Sequence, residues 1–127
     1  MTVQYACVFG ISSGLPSIES GDIINAFLNG TALALIQGKD NRTFWFLTTK
    51  LDQKYTYPAV PRFSTNDAAK LCEQMKDLHF NKGLTVGDLW LKRERVSMTA
   101  LEEGLFKTWF HDRMVLLGDS VHKVRFL

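Results

Sequence analysis

Apolar and polar positions alternate along much of this chain with the period of a strand rather than a helix. Over residues 3–11, Tyr5, Cys7 and Phe9 alternate with Gln4, Ala6 and Val8 in a stretch rich in β-branched and aromatic residues, which predicts a strand. Residues 12–21 read as loop. Three more strands are expected over residues 23–28, 31–37 and 43–50, separated by Asn29-Gly30 and by Gly38-Lys39-Asp40-Asn41. Asn-Gly between apolar runs tolerates positive φ at both central positions and predicts a hairpin, so these strands form an antiparallel meander. Phe44, Trp45 and Phe46 place aromatic rings on both faces of the last strand. At least one ring therefore faces either a core layer or the wall of a ligand pocket rather than bare solvent.

The prolines of Tyr55-Thr56-Tyr57-Pro58 and Val60-Pro61-Arg62 hold the next stretch extended as a connector. Ser64 then caps a helix, with Asp67 as its capping-box partner. Ala68, Ala69, Leu71, Cys72, Met75 and Leu78 recur at helical spacing, predicting a helix over residues 65–77. A second cap, Thr85 with Asp88, starts a shorter helix through Val86, Leu89 and Trp90. Residues 93–99 alternate again as a strand, while Thr99 and Glu102 also fit a capping box, so the span to Phe106 is open to either structure. Met114, Val115, Leu116 and Leu117 form a continuous apolar run closed by Gly118, which predicts a short strand buried on both faces. The fold class expected is α+β, an antiparallel sheet with two inserted helices.

Composition narrows the function classes. At 127 residues and 46% hydrophobic content the chain suits one domain with a modest core. A net charge of +2 is too small to argue for nucleic acid or an anionic membrane, and Lys92-Arg93-Glu94-Arg95 reads as a solvated edge. Cys7 and Cys72 lack C-x-x-C spacing, so no metal site is expected and reduced thiols imply an intracellular, cytoplasmic protein. Neither a signal peptide nor an apolar run long enough for a membrane span is legible, and the triplets at Asn29 and Asn41 are read as chance matches to the glycosylation pattern. Gly10-Ile11-Ser12-Ser13-Gly14 matches the G-x-S-x-G nucleophile elbow, but no helical pattern follows it. The elbow needs a strand-to-helix turn, so Ser12 is not expected to act as a nucleophile even though Asp119 and His122 could nominally complete a triad.

After the apolar run, Gly118, Asp119, Ser120 and His122 crowd polar groups where a buried strand would surface, the usual place for a ligand in an open α/β sheet. Gly118 lets backbone approach a ligand, and Asp119 can accept a hydrogen bond from a sugar hydroxyl. The alternative is a plain turn in which Asp119 bonds its own backbone.

Residues 113–123, Arg113-Met-Val-Leu-Leu-Gly-Asp-Ser-Val-His-Lys123, resemble the second flavin-binding motif of FAD-dependent monooxygenases of the aromatic-hydroxylase class. The variant is similar to that of fungal members that epoxidise or hydroxylate prenylated indole and polyketide intermediates. Tyr5-Ala-Cys-Val-Phe-Gly-Ile-Ser, Gly38-Lys-Asp followed by Phe44-Trp-Phe, Pro61-Arg-Phe-Ser, Gly87-Asp-Leu-Trp, and Met98-Thr-Ala-Leu-Glu-Glu with Phe106-Lys-Thr-Trp resemble consecutive landmarks of those enzymes. The resemblance implies a substrate-domain-like region over residues 1–110 that lies over the flavin ring, and a remnant of the FAD-binding domain over residues 111–127. It implies FAD as cofactor, held by Asp119 with Gly118 and Arg113, NADPH as reductant in full-length relatives, and a small apolar substrate. One oxygen atom would pass from O2 to an alkene or arene, with the cofactor carrying the hard chemistry.

The departures from that pattern are specific. No G-x-G-x-x-G follows a strand, no Asp-Gly motif precedes Tyr5, and Val124-Arg125-Phe126-Leu127 stands where relatives continue with Met-Thr-Pro-Asn. Leu28 falls where similar enzymes often place a tyrosine, and leucine can neither donate a hydrogen bond nor move a proton. The expected function is that of a truncated monooxygenase, corresponding to the middle portion. Two alternatives stand beside it. One is a cofactor-free isomerase or cyclase using His79, His111, Asp112, Glu102 or Glu103 as acid and base; the other is a non-catalytic partner domain pairing with another chain through its sheet edge.

Overall fold

The structure, a computed structural model, describes residues 1–80 and 83–124. Its centre is β1 (Thr2–Ser13), hydrogen-bonded antiparallel to β4 (Arg42–Thr56) on one side and β7 (Arg93–Leu105) on the other. With β2 (Ile23–Leu28), β3 (Thr31–Gln37) and the two-residue β10 (His122–Lys123) they form a six-stranded sheet of order β10-β7-β1-β4-β3-β2. The predicted meander is present: β2 pairs with β3 across Asn29-Gly30, Gly30 adopting φ +74°, and β3 pairs with β4 across residues 38–41.

Two boundaries moved for one reason. β4 runs on to Thr56 rather than stopping at Lys50, because Tyr55 and Thr56 pair with Val3 and Thr2 of β1. Likewise β7 stays a strand to Leu105, with Ser97 through Glu103 in register against β1, so the helix that Thr99 and Glu102 could have capped does not form. A long central partner decides the backbone where local pattern is ambivalent. Ser12 and Ser13, expected in a loop, continue β1 against Thr43 and Arg42.

The helices sit where their caps place them. In α1 (Thr65–Gln74) the Asp67 amide donates to Ser64 Oγ at 3.3 Å and the Ser64 amide to Asp67 Oδ2 at 2.7 Å. The Ser64 amide, and after it the Ser64 hydroxyl donating to Asp67 Oδ2 at 2.7 Å, hold the Asp67 carboxyl below its ordinary range. The helix ends three residues before the predicted Asp77. α2 (Val86–Leu91) carries the same reciprocal box between Thr85 and Asp88, and the short strands β5 (His79–Phe80) and β6 (Leu84–Thr85) pair between the helices. Among the described residues no helix is long and apolar enough to cross a membrane.

Both helices cover the same sheet face. Val8, Leu33, Leu35, Trp45 and Leu47 meet Ala68 and Cys72 of α1, Val86 and Leu89 of α2, and Leu15 and Ile18 of the loop after β1. Burial pushes the Cys72 thiol up to about 11, partly opposed by the positive charge of Arg93. Trp45 is the largest fully buried side chain; its indole Nε1 donates to Ser12 Oγ at 2.8 Å, and Ser12 Oγ donates to the Leu89 carbonyl at 2.6 Å. One tie thus runs from β4 through β1 to α2. The indole lies over Gly10, where a Cβ would stand 2.1 Å from Trp45 Cε2.

The expected buried strand at Met114 to Leu117 is not what the structure holds. β8 (Phe110–His111) and β9 (Met114–Val115) make a two-residue hairpin turning at Asp112 and Arg113, with Asp112 at φ 50°. Every residue over 105–120 is exposed, Leu117 at 75%. The apolar run is open because no described element offers a face to either side of it. The excursion is closed at its base: the Phe106 amide donates to the Val121 carbonyl at 3.0 Å, Val121 is buried, and β10 pairs with Gly104 and Leu105.

Gly10→Ala is expected to destabilise the fold by about 1–3 kcal/mol, the usual cost of forcing atoms into a packed core. Urea denaturation followed by tryptophan fluorescence checks it, and an unchanged midpoint would show that Trp45 does not need the space above Gly10.

Candidate functional site

Side chains on a strand alternate between faces, so the face opposite the helices carries Cys7 and Phe9 of β1, Phe46 and Thr48 of β4, Ala32, Ala34 and Ile36 of β3, and Asn25 and Phe27 of β2. Together with Leu33 and Leu101, most of them line a concavity of about 800 Å³, within the range of small-molecule sites. Its chemistry is apolar. Among the described residues no carboxylate, imidazole, amine or guanidinium lines it, and the polar side chains there are Asn25, Thr48 and Cys7. Burial raises the Cys7 thiol above its ordinary value, with a hydrogen bond to Thr48 opposing, so the thiol stays neutral at physiological pH. Phe46 is steadied by Phe9, their ring centroids 5.1 Å apart and tilted at 42°. A smaller adjoining hollow is lined by Phe27, Ala32, Leu28 and Tyr5, which puts a phenol beside the position where Leu28 lacks one.

A second cleft, of about 580 Å³, lies between the connector and β7, lined by Tyr57, Pro61, Arg62, Phe63, Met98 and Glu102 among others. Glu102 is engaged there by Lys123 at 3.8 Å. The other acid and base candidates do not gather around it: His79 is on β5, and His111 and Asp112 sit in the β8–β9 hairpin, all three exposed. None of His79, His111, Asp112, Glu102 and Glu103 lines the apolar concavity. Among the described residues no group of three or more His, Cys, Asp or Glu could hold a metal ion.

Gly118, Asp119 and Ser120 form a single 3-10 turn after the exposed hairpin, with Ser120 Oγ donating to the Leu117 carbonyl at 2.7 Å. Arg113 stands in the hairpin turn, exposed. Gly118 has φ +61° and nothing within 4 Å of where a Cβ would be, so its backbone can be approached from outside. None of the concavities described above encloses Gly118 or Asp119. The donor set at this turn suits one carboxylate contact to a polyhydroxyl chain, and the turn by itself is not a cradle for a dinucleotide.

Ser12 is explained by the core. Its hydroxyl is fully buried and both of its hydrogen bonds are used by Trp45 and Leu89, while Gly10 makes room for the indole. The G-x-S-x-G match is a packing motif here. Sequence reasoning left a core layer and a pocket wall open for the rings at 44–46, and the structure uses Trp45 for the first and Phe46 for the second, but the position of the concavity was not foreseen. Its signal was present in the paired small residues Ala32 and Ala34 on the face that also carries Phe46 and Phe27.

With this geometry in hand, the fold is similar to that of tetracycline destructase Tet(51), at a TM-score of 0.55 and 9% sequence identity, over 97% of this chain and 32% of that protein's chain. The likeness is one of fold. In sequence, the chain is 52% identical over 124 residues to the FAD-dependent monooxygenase penE of Penicillium thymicola, 51% over 123 residues to trt8 of Aspergillus terreus and 48% over 124 residues to paxM of Penicillium paxilli. These matches take in 97–98% of this chain and 26–31% of each relative. The chain is therefore homologous, along nearly all of its length, to a portion of the fungal FAD-dependent monooxygenases, and spans between a quarter and a third of the relatives it matches. No family model matches it.

Ser12→Ala is expected to lower stability by about 1–3 kcal/mol, since it strands a buried indole N–H and a helix carbonyl. It should change no hydrolysis of p-nitrophenyl acetate. A Ser12-dependent hydrolytic rate, or an unchanged denaturation midpoint, would overturn the structural role.

Proposed function

We propose that this chain forms the substrate-covering sheet of an FAD-dependent monooxygenase, its helix-free face turned toward the substrate and Asp119 touching the flavin. The observation that carries the reading is the apolar concavity on that face, wide enough for a ligand and, among the described residues, without a charged side chain. Such a wall suits a neutral, apolar substrate that must be held dry while oxygen is transferred. FAD, when bound, supplies the redox chemistry with O2. This chain's own residues hold the substrate against Ala32, Ala34, Phe27 and Phe46, and exclude water.

Asp119 and the neighbouring Gly118 backbone are the contacts this chain would offer the cofactor, with Arg113 nearby in sequence. One or two hydrogen bonds contribute about 0.5–3 kcal/mol, whereas micromolar binding needs roughly 8 kcal/mol. The larger share of flavin affinity therefore belongs to the flavin-binding portion of such an enzyme, whichever polypeptide carries it. The exposed apolar residues Leu105, Phe110, Met114, Val115 and Leu117 are the surface through which the sheet would meet that portion.

The test is a graft. Replacing the matching 124 residues of penE by those of this chain should give a yellow protein, and Asp119→Ala in the graft should weaken FAD binding about tenfold, the loss of one hydrogen bond to a charged group. A folded graft without flavin, or an Asp119→Ala variant with unchanged FAD affinity, would overturn the proposal.

A further inference from the structure

We infer that this chain pairs with a second copy of itself along the outer edge of β2, the two strands running antiparallel about a two-fold axis that passes between the two Asn25 residues. The pairing stands on strand register and is independent of the monooxygenase reading. In an antiparallel sheet, residues bonded to one neighbouring strand alternate with residues that face away from it. The Gln37 amide donates to the Asp22 carbonyl at 2.9 Å, so Ile24, Ala26 and Leu28, which follow Asp22 at every second position, bond to β3. Ile23, Asn25 and Phe27 therefore turn their N–H and C=O groups outward, and no strand among the described residues pairs with them. β5 meets β2 on the helix side, where Phe80 and Ile24 share the core.

The two long outer strands of the sheet differ in what they present. Beyond its short pairing with β10, β7 carries Arg93, Glu94, Arg95, Glu102 and Glu103, and charges along an edge oppose pairing with another chain. β2 reads Ile-Ile-Asn-Ala-Phe-Leu, with neither a charge nor a proline, and Ile23 and Phe27 are 66% and 70% exposed. A second copy fits this edge because the edge is self-complementary. With Asn25 opposite Asn25, Ile23 falls opposite Phe27 of the second copy, so every outward N–H meets an outward C=O and each phenyl ring meets a β-branched partner. Asp22 falls opposite Leu28, so no like charges face each other across the seam. Every other two-fold register sets one of Ile23, Asn25 and Phe27 against the turns that bound β2, or beyond them. One pair of six-residue strands is a small interface, below the roughly 1,200 Å² of stable complexes, so the dimer exchanges with monomer and its dissociation constant is on the order of 100 µM.

Sedimentation equilibrium of the chain from about 5 µM to about 500 µM, a range that brackets this constant, should show the mass rising from one chain toward two. Asn25→Lys and Asn25→Asp each set like charges directly across the axis, and each should raise the concentration for half-dimerisation at least about tenfold. An equimolar mixture of the two variants sets opposite charges there and should restore the dimer. Leu117→Ser, on the other exposed apolar surface, should leave dimerisation unchanged. Amide exchange needs no variant: raising the concentration of the unaltered chain should slow Ile23, Asn25 and Phe27 and leave the outer edge of β7 as it was. A chain that stays monomeric at the highest concentration, Asn25 variants that dimerise as the parent does, a mixture no better than its components, a dimer lost in Leu117→Ser, or exchange slowed along β7 instead of β2 would each overturn the pairing.

Discussion

The indole of Trp45 lying over the bare backbone of Gly10 is the contact on which the rest of the molecule depends. It fixes β4 against β1, and the hydrogen bonds from Trp45 Nε1 to Ser12 and from Ser12 to Leu89 carry that fixation into α2. Both helices and the loop holding Leu15 and Ile18 then close over the same side of the sheet. A sheet covered on one side normally shows polar residues on the other. This one shows Phe27, Ala32, Ala34, Ile36 and Phe46, so the uncovered side is apolar without being core.

Two kinds of exposed apolar surface result, and they differ in form. The concave one lies on regular strands whose register fixes the spacing of its walls, which makes it suited to discriminating among ligands. The other, over residues 105–120, is an exposed excursion with a two-residue hairpin and a 3-10 turn, held at its base by Phe106, Val121 and β10. Exposed apolar residues in such a patch mark a surface suited to being covered. Both surfaces lie open among the described residues.

Much of the fold was legible in the sequence because local chemistry and tertiary structure agreed there. The Ser64–Asp67 and Thr85–Asp88 boxes specify both helix starts, and Asn29-Gly30 specifies a hairpin. Where a long strand supplied the deciding partner, local pattern was insufficient: residues 100–105 could have been helix until Cys7, Ala6 and Tyr5 of β1 were seen to pair with them and their neighbours. Met114 to Leu117 failed for the opposite reason. The run has the composition of a doubly buried strand, but burial requires neighbours, and none of the described elements supplies them. The concavity was legible only as one alternative for the aromatic run at 44–46, because the small residues Ala32 and Ala34 gain their meaning through the pairing of β3 with β2 and β4.

The central claim is the orientation of the sheet, helices outward and the apolar face toward the flavin-binding portion. Hydrogen–deuterium exchange tests it most directly, comparing this chain alone with the same residues grafted into penE. Slower exchange in the graft over β2, β3 and residues 105–117, with α1 and α2 unchanged, is the result expected. Slowing confined to α1 and α2, with β2, β3 and the excursion exchanging as in the isolated chain, would contradict it.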